Sequence, residues 1–404
     1  MSKVLVFNLP QHGHINPTLA VVQELAARGE EVIYYLTDEF KDKIQSTGVA
    51  FRRYEPVIST PTAQGQPLPP KGTRSLYDML LKKFVEGAQF IIPQLLDEVR
   101  AEQPDYIIYD SLCLWGKFLA KILQVPAITS HTTYASNEHF SLFNAFASTK
   151  SQASTQDADR MLAFRSNLEQ LCTTYGIQPF EPSSLFAHNE PLNIVFIPRA
   201  FQPAGDTFDQ RFVFVGPSIM PRAETTDFPL ERLGKQPTLY ISLGTMFNTW
   251  IDFFQMCFTA FGDQPWQVVM SIGKKVDQSE LASIPGNFIL DSFVPQLAVL
   301  EHTDIFVTHG GMNSVMEALY YGVPLVVIPQ MPEQAITAAR VNELGLGVAL
   351  EKTAVTASSV QSAVASVANE PQFRERAQRM RDVVRKAGGY KRAVDAILQF
   401  RPLA

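Results

Sequence analysis

The hydrophobic pattern alternates between short apolar runs and stretches of helical period along most of the chain. Val4–Leu9 is a short apolar run, and Pro17–Gly29 places Leu19, Val22 and Ala26 on one stripe at helical spacing. Glu31–Leu36 and Val49–Tyr54 read as strands, Ser75–Glu102 as a long amphipathic helix and Asp105–Tyr109 as a strand. Trp115–Leu123 then reads as a helix and Ala127–Thr132 as a strand. The second half repeats the theme, with strands at Thr238–Leu243, Gln267–Ile272, Phe288–Leu290, Ile305–Thr308 and Leu325–Ile328. Helices fill the gaps, notably Asn313–Tyr321 and Gln334–Leu344. Continuous apolar strands that alternate with helices predict parallel sheets covered on both faces. The expected fold is therefore α/β, with two Rossmann-like, doubly wound domains facing each other across a cleft, where ligands bind at the carboxyl ends of the strands. A stretch rich in Pro, Asp and Arg, from about Gln202 to Pro237, marks the connection between them. The boundaries predicted are a first domain over 1–205, a linker region over 206–236, a second domain over 237–385 and a terminal helix over 386–404. Ser148–Thr155, rich in Ser, Gln and Thr, reads as a mobile loop.

Composition narrows the class. The chain has 404 residues, 46% of them hydrophobic, enough for two sizeable cores. Its net charge of -6 is dispersed, and no basic block marks a nucleic-acid footprint. Apolar runs stop short of the roughly 18 residues that span a bilayer, so no membrane partner is expected. A polar, His-rich turn follows the first strand where a secretory signal would carry small residues. Cys113, Cys172 and Cys257 are too few and too scattered for a disulfide framework or a zinc site. A reducing cytoplasm is the expected location.

Two segments carry candidate chemistry. In the second half, His309 follows the strand Ile305–Thr308, and Gly310-Gly311 allows a tight turn into a helix. Asn313 and Ser314 then stand at that helix's start, where backbone N–H groups and the helix dipole suit a diphosphate. Glu317 lies on the same helix face as Ser314, placed to grip a ribose diol. In the first half, Pro10-Gln11-His12-Gly13-His14-Ile15-Asn16-Pro17 follows the first strand. Asn16 is a good N-cap and Pro17 a good first helical residue, which predicts His14 just before a helix N-terminus. The dipole there keeps an imidazole neutral and able to accept a proton. Asp110 ends another strand of the same sheet and is expected to meet His14 and hold its tautomer, as in triad logic. Asp157-Ala158-Asp159 fits a weak Asp-x-Asp metal pattern but follows a polar stretch with no strand before it, and it reads as a solvated helix start. Phe140, Phe143, Phe146 and Tyr134, with Met79 and Phe84 on the long helix, are candidates to line an apolar pocket, although such a stripe at helical spacing is more often core.

Together these residues resemble the UDP-glycosyltransferase family, inverting enzymes of GT-B fold, and come closest to its bacterial macrolide- and flavonoid-type members. The resemblance covers essentially the whole chain. It implies that Phe293 stacks on the uracil, that the backbone of Val294 bonds the base edge, and that Gln296 and Glu317 bind the ribose. His309, Gly311, Asn313 and Ser314 match the diphosphate positions, and Glu333 and Gln334 match the pair that bonds the sugar hydroxyls. Ser242, Gly244 and Thr245 match a turn near the phosphates. Gly13-His14-Ile15-Asn16-Pro17 matches the catalytic motif, with His14 the general base and Asp110 its acidic partner. The segments that hold Met79, Phe84, Tyr134, Phe140, Phe143 and Phe146 border the acceptor, and the terminal helices beyond Tyr390 pack back on the first domain. The plant pattern has Trp at the positions of Phe293 and Met312, and two more residues between His302 and His309; Phe293 still offers a stacking face. The implied activity is transfer of a hexose, glucose foremost, from UDP-glucose or a related nucleotide sugar to a hydroxyl of a small hydrophobic acceptor such as a macrolide, flavonoid or other phenol. The nucleotide sugar is a co-substrate, and neither a cofactor nor a metal is expected. A UDP-sugar 2-epimerase-like enzyme and a non-catalytic nucleotide-sugar-binding protein share this scaffold, but the His14/Asp110 pair argues for transfer. A nicotinamide dehydrogenase is disfavoured because no Gly-x-Gly-x-x-Gly follows the first strand. Oligomeric state has no signature in the sequence.

Overall fold

The strand Lys3–Phe7 shows how the sequence builds its layers. Leu5 and Phe7 enter one apolar core with Ile107 and Tyr109, while Val4 and Val6 enter a second with Tyr106 and Ile108. Alternate residues therefore feed opposite faces of one sheet, and both faces are buried. The computed structural model describes residues 1–55, 74–142, 145, 155–179, 185–186, 190–220, 228–244, 249–281 and 283–400, with the side chains of all but 74–82 and 155–161. Thr245, Phe143 and Phe146, the side chains of Met79, Asp157 and Asp159, and the segment 148–154 lie outside the described residues.

The first sheet has seven strands: β1 Lys3–Phe7, β2 Glu31–Leu36, β3 Ala50–Arg53, β4 Tyr106–Asp110, β5 Ala127–His131, β6 Leu192–Val195 and β7 Phe212–Phe214. Their order is β3-β2-β1-β4-β5-β6-β7, every pair parallel. The second sheet has β8 Thr238–Ser242, β9 Gln267–Ser271, β10 Phe288–Asp291, β11 Ile305–Thr308, β12 Leu325–Val327 and β13 Gly347–Ala349. It runs β10-β9-β8-β11-β12-β13, again all parallel. In each sheet the winding reverses once, between β1 and β4 and between β8 and β11. Helices leave opposite faces there, and the strands' carboxyl ends open into a crevice.

The chain divides into two compact units, Met1–Ile219 with Ala387–Ala404, and Met220–Lys386. The terminal helix Gly389–Phe400 buries Ala393, Val394 and Ile397 in the core that holds Ile15, Val21 and Leu25 of the helix His12–Ala27. The backbone N–H of Gly389 donates to the Val215 carbonyl at 2.7 Å and anchors the return. The range read as a linker is not wholly one. Phe212–Phe214 pairs with β6 and extends the first sheet, because Phe212 and Phe214 find burial at its edge.

The first helix also starts earlier than its sequence suggests. It spans His12–Ala27, since the Gln11 carbonyl already accepts the N–H groups of His14 and Ile15, each at 3.0 Å. Asn16 is therefore not the N-cap and Pro17 is not the first helical residue. Pro17 sits inside the helix, where its missing N–H leaves out one bond of the ladder. Phe84 is likewise a core residue. It packs edge-to-face on Phe186 at 5.5 Å and belongs to the stripe of Val85, Ala88, Ile91 and Ile92 on the helix Arg74–Glu102. Tyr134 is buried in a stack with Phe201 and lies edge-on to Phe140, 5.6 Å away.

Candidate active site

The reversal between β1 and β4 brings together two residues that stand 96 positions apart. Nδ1 of His14 lies 2.8 Å from Oδ2 of Asp110. His14 stands in the first turn of its helix, so the corrected helix start keeps the imidazole near the positive end of the dipole. Asp110 is completely buried at the end of β4, and its other oxygen accepts the Leu112 N–H at 2.9 Å. A carboxylate only accepts, so Nδ1 carries the proton and the lone pair of the neutral ring falls on Nε2. Nε2 is then a base, and Asp110 is placed to stabilise the imidazolium that forms when it takes a proton.

Sequence reasoning missed two supports of this pair. Thr132, just past β5, sets its Oγ1 3.0 Å from the same Nδ1. Asn8 is fully buried just past β1, and its amide donates to the His14 carbonyl at 3.0 Å and to the Tyr34 hydroxyl at 2.9 Å. The Asn8 carbonyl accepts the Tyr54 hydroxyl at 2.9 Å. Its signal was the lone amide inside the apolar run Val4–Leu9: a buried polar side chain must find partners, and here they fix the helix start.

In the second unit the reversal between β8 and β11 gathers the other candidates. His309 follows β11 and its ring is wedged between two glycines. A Cβ on Gly311 would stand 2.5 Å from His309 Nε2, and one on Gly244 would stand 2.7 Å from it. Gly244 also adopts a φ of 76°, open to glycine at little cost. Burial pushes the His309 pKa down to about 4, opposed by a hydrogen bond to the Ser242 backbone. The ring is therefore neutral at physiological pH.

The helix Met312–Tyr321 follows, with Gly311 as its N-cap residue and Asn313 and Ser314 in its first turn. Glu317 stands one turn on and takes a hydrogen bond from Nε2 of Gln296. Nε2 also reaches Ser314 Oγ at 3.4 Å. Phe293 is 59% exposed, which leaves its ring face open, and its backbone N–H is held by Asp291 Oδ1 at 3.0 Å. Val294 beside it is buried. Glu333 lies in the first turn of the helix Pro332–Glu343, and Gln334 follows. The Gln334 side-chain oxygen accepts the N–H groups of Gln330 at 2.8 Å and Met331 at 3.1 Å, so this residue caps its own helix. No group of three or more metal-ligating side chains occurs among the described residues. No helix among them is long and apolar enough to cross a membrane.

His131, at the end of β5, is also buried, and burial pushes its pKa down to about 4 as well, against the raising influence of Asp110. Both histidines stay neutral in the folded protein while the unfolded chain takes up protons below about pH 6.5. The unfolded state then binds more protons, so stability should fall as pH drops from about 6.5 towards 4. Urea midpoints measured at pH 7, 6 and 5 should decline in that order, and a flat series would contradict the buried, neutral state of both rings.

Residues 257–387 match the family described as "Erythromycin biosynthesis protein CIII-like, C-terminal domain". The chain is 42% identical to "NDP-glycosyltransferase YjiC" of Bacillus subtilis (strain 168), over 98% of this chain and 97% of the relative. It is 36% identical to "Uncharacterized UDP-glucosyltransferase YojK" of the same organism, over 99% of this chain and 97% of the relative. Among solved structures it resembles CalG4, the calicheamicin glycosyltransferase, with a TM-score of 0.86 and 33% identity, covering 99% of this chain and 98% of the other.

Proposed function

This chain belongs to the nucleotide-sugar (NDP/UDP) glycosyltransferases of GT-B fold, and on that premise we propose that it moves a hexose, glucose foremost, from UDP to a hydroxyl of a small apolar natural product. Macrolides, flavonoids and other phenols are the acceptor class. The observation that carries the reading is the contact of 2.8 Å between His14 and buried Asp110. His14 Nε2 takes the acceptor's hydroxyl proton, and the oxygen attacks C1 of the sugar. The bond from C1 to the diphosphate oxygen breaks on the opposite face, so configuration inverts and UDP leaves. A positioned base contributes typically 10²–10⁴-fold.

The donor residues follow from the second unit. Phe293 stacks on the uracil and the Val294 backbone meets its edge. Gln296 and Glu317 hold the ribose. Ser242, Gly244, His309, Gly311, Asn313 and Ser314 surround the diphosphate, where oriented N–H groups and the helix dipole stabilise the leaving group. Glu333 and Gln334 address the sugar hydroxyls. UDP as donor is supported by the hydrogen-bonded Gln296–Glu317 pair, which suits a ribose diol, and by the likeness to a relative named as a UDP-glucosyltransferase. An apolar acceptor is supported by the likeness to a calicheamicin glycosyltransferase.

Incubation with UDP-glucose and a mixed panel of phenols, flavonoids and macrolides, read by mass spectrometry, tests the proposal. Hexosylated products should appear with UDP-glucose in preference to dTDP-glucose. They should persist after dialysis against excess EDTA, because the helix terminus carries the diphosphate charge. Tight UDP binding without any product would point to a non-catalytic binding protein. Activity lost to EDTA and restored by Mn²⁺ would overturn the metal-free mechanism.

A further inference from the structure

Beneath the ribose positions runs a chain of hydrogen bonds with one direction. The Gly244 N–H donates to Ser242 Oγ at 3.3 Å, and Ser242 in turn bonds the hydroxyl of Tyr240. The Tyr240 hydroxyl donates to Gln296 Oε1 at 3.2 Å. Gln296 Nε2 then donates to Glu317 Oε2. The ends fix the direction, since a backbone N–H only gives and a carboxylate only takes. The amide of Gln296 must turn its NH₂ to Glu317 and its oxygen to Tyr240; the flipped amide would set two acceptors against each other. Tyr240 is buried on β8 and stacks on Phe306, with ring centroids 4.5 Å apart and planes at 8°. Burial raises its pKa well above the ordinary value, so its hydroxyl remains a donor.

We propose that Tyr240 is a positioning residue of the donor site, which fixes the Gln296 amide and through it the Glu317 carboxylate, and so sets the preference for a ribose over a 2′-deoxyribose nucleotide. The inference rests on the reading of Gln296 and Glu317 as the ribose contacts. A carboxylate held in one orientation rewards a hydroxyl in one place. A carboxylate whose amide partner can rotate rewards it less, because part of the binding is spent on ordering both groups. Tyr240 touches neither base nor phosphate in this reading, so its effect should appear only where the 2′-hydroxyl is present.

The test compares UDP with 2′-deoxy-UDP by isothermal titration, in the wild type and in Tyr240→Phe. The variant keeps the ring stacked on Phe306 and removes one hydroxyl. UDP affinity should fall about tenfold, near the upper end for one net hydrogen bond, while 2′-deoxy-UDP affinity stays within about twofold. The discrimination between the two nucleotides therefore shrinks. Gln296→Leu removes the next link, and in that background Tyr240→Phe should have no further effect on discrimination. Equal losses for both nucleotides, or additive effects in the double variant, would show that the hydroxyl serves only the core. A wild type that binds both nucleotides equally would instead overturn the ribose reading itself.

Discussion

His14→Ala should remove nearly all transfer to an aliphatic alcohol while UDP binds as tightly as before. In the proposed reading the base belongs to the first unit and the nucleotide residues to the second, so a loss of chemistry should leave donor affinity unchanged. General base catalysis accounts for about 10²–10⁴-fold, and the fall in kcat should reach that range. The acceptor's acidity supplies an internal check. A nitrophenol is already partly ionised near neutral pH and needs the base least, whereas an alcohol needs it most. The defect should therefore be mild for the first and severe for the second. Asp110→Asn keeps the shape but places an amide where a carboxylate held Nδ1–H at 2.8 Å, and kcat should fall with donor affinity unchanged. The double variant should be hardly worse than His14→Ala alone, since a base and its orienter act as one unit. Equal defects across the acidity series, or loss of UDP binding, would show that His14 serves structure.

The second large effect is expected at His309. His309→Ala should lower kcat and kcat/KM with the nucleotide sugar by one to three orders of magnitude: a diphosphate favours a proton on the second nitrogen of this otherwise neutral ring, and the variant loses that donor at a developing negative charge (~10²–10³). Gly311→Ala reaches the same end by another route. Its Cβ would stand 2.5 Å from His309 Nε2, so the ring must leave its slot although its chemistry is intact. Both variants should lose the same step of the reaction, with thermal stability nearer wild type in His309→Ala. Wild-type steady-state kinetics in both would remove His309 from the leaving-group site.

The fold was legible wherever a period had room to show itself. Strands such as Ile305–Thr308 and helices such as Met312–Tyr321 stand within a residue or so of their sequence limits. Three strands went unread because their composition hid them: Asn193 interrupts the apolar run of β6, β7 lies in the Pro- and Asp-rich stretch read as a linker, and β13 opens on Gly347. Pro17 misled because proline is most at home in the first turn, whereas the helix was nucleated upstream by the Gln11 carbonyl. His14 and Asp110 were legible because each follows or ends a strand at the reversal of the sheet. Thr132 and Tyr240 were not, because a polar atom's role depends on which partner the fold brings within 3 Å or so, and no local pattern encodes that; Asn8 stood out as an amide in an apolar run, but its partners could not be read from it. Phe84 shows the converse: an aromatic on a helical stripe was core, as such stripes usually are.

The return of the last helix to the first unit has a consequence during synthesis. The core beneath the first sheet includes Val394 and Ile397, which are made after the whole of the second unit. The second unit, Met220–Lys386, is one unbroken stretch and is complete before them. At roughly 5–20 residues per second, the first 219 residues wait on the order of ten seconds with the flank of Ile15, Val21 and Leu25 uncovered. For that interval the nascent chain presents a hydrophobic patch that a chaperone can hold. The unit that holds His14 and Asp110 is thus finished only after the unit that holds His309.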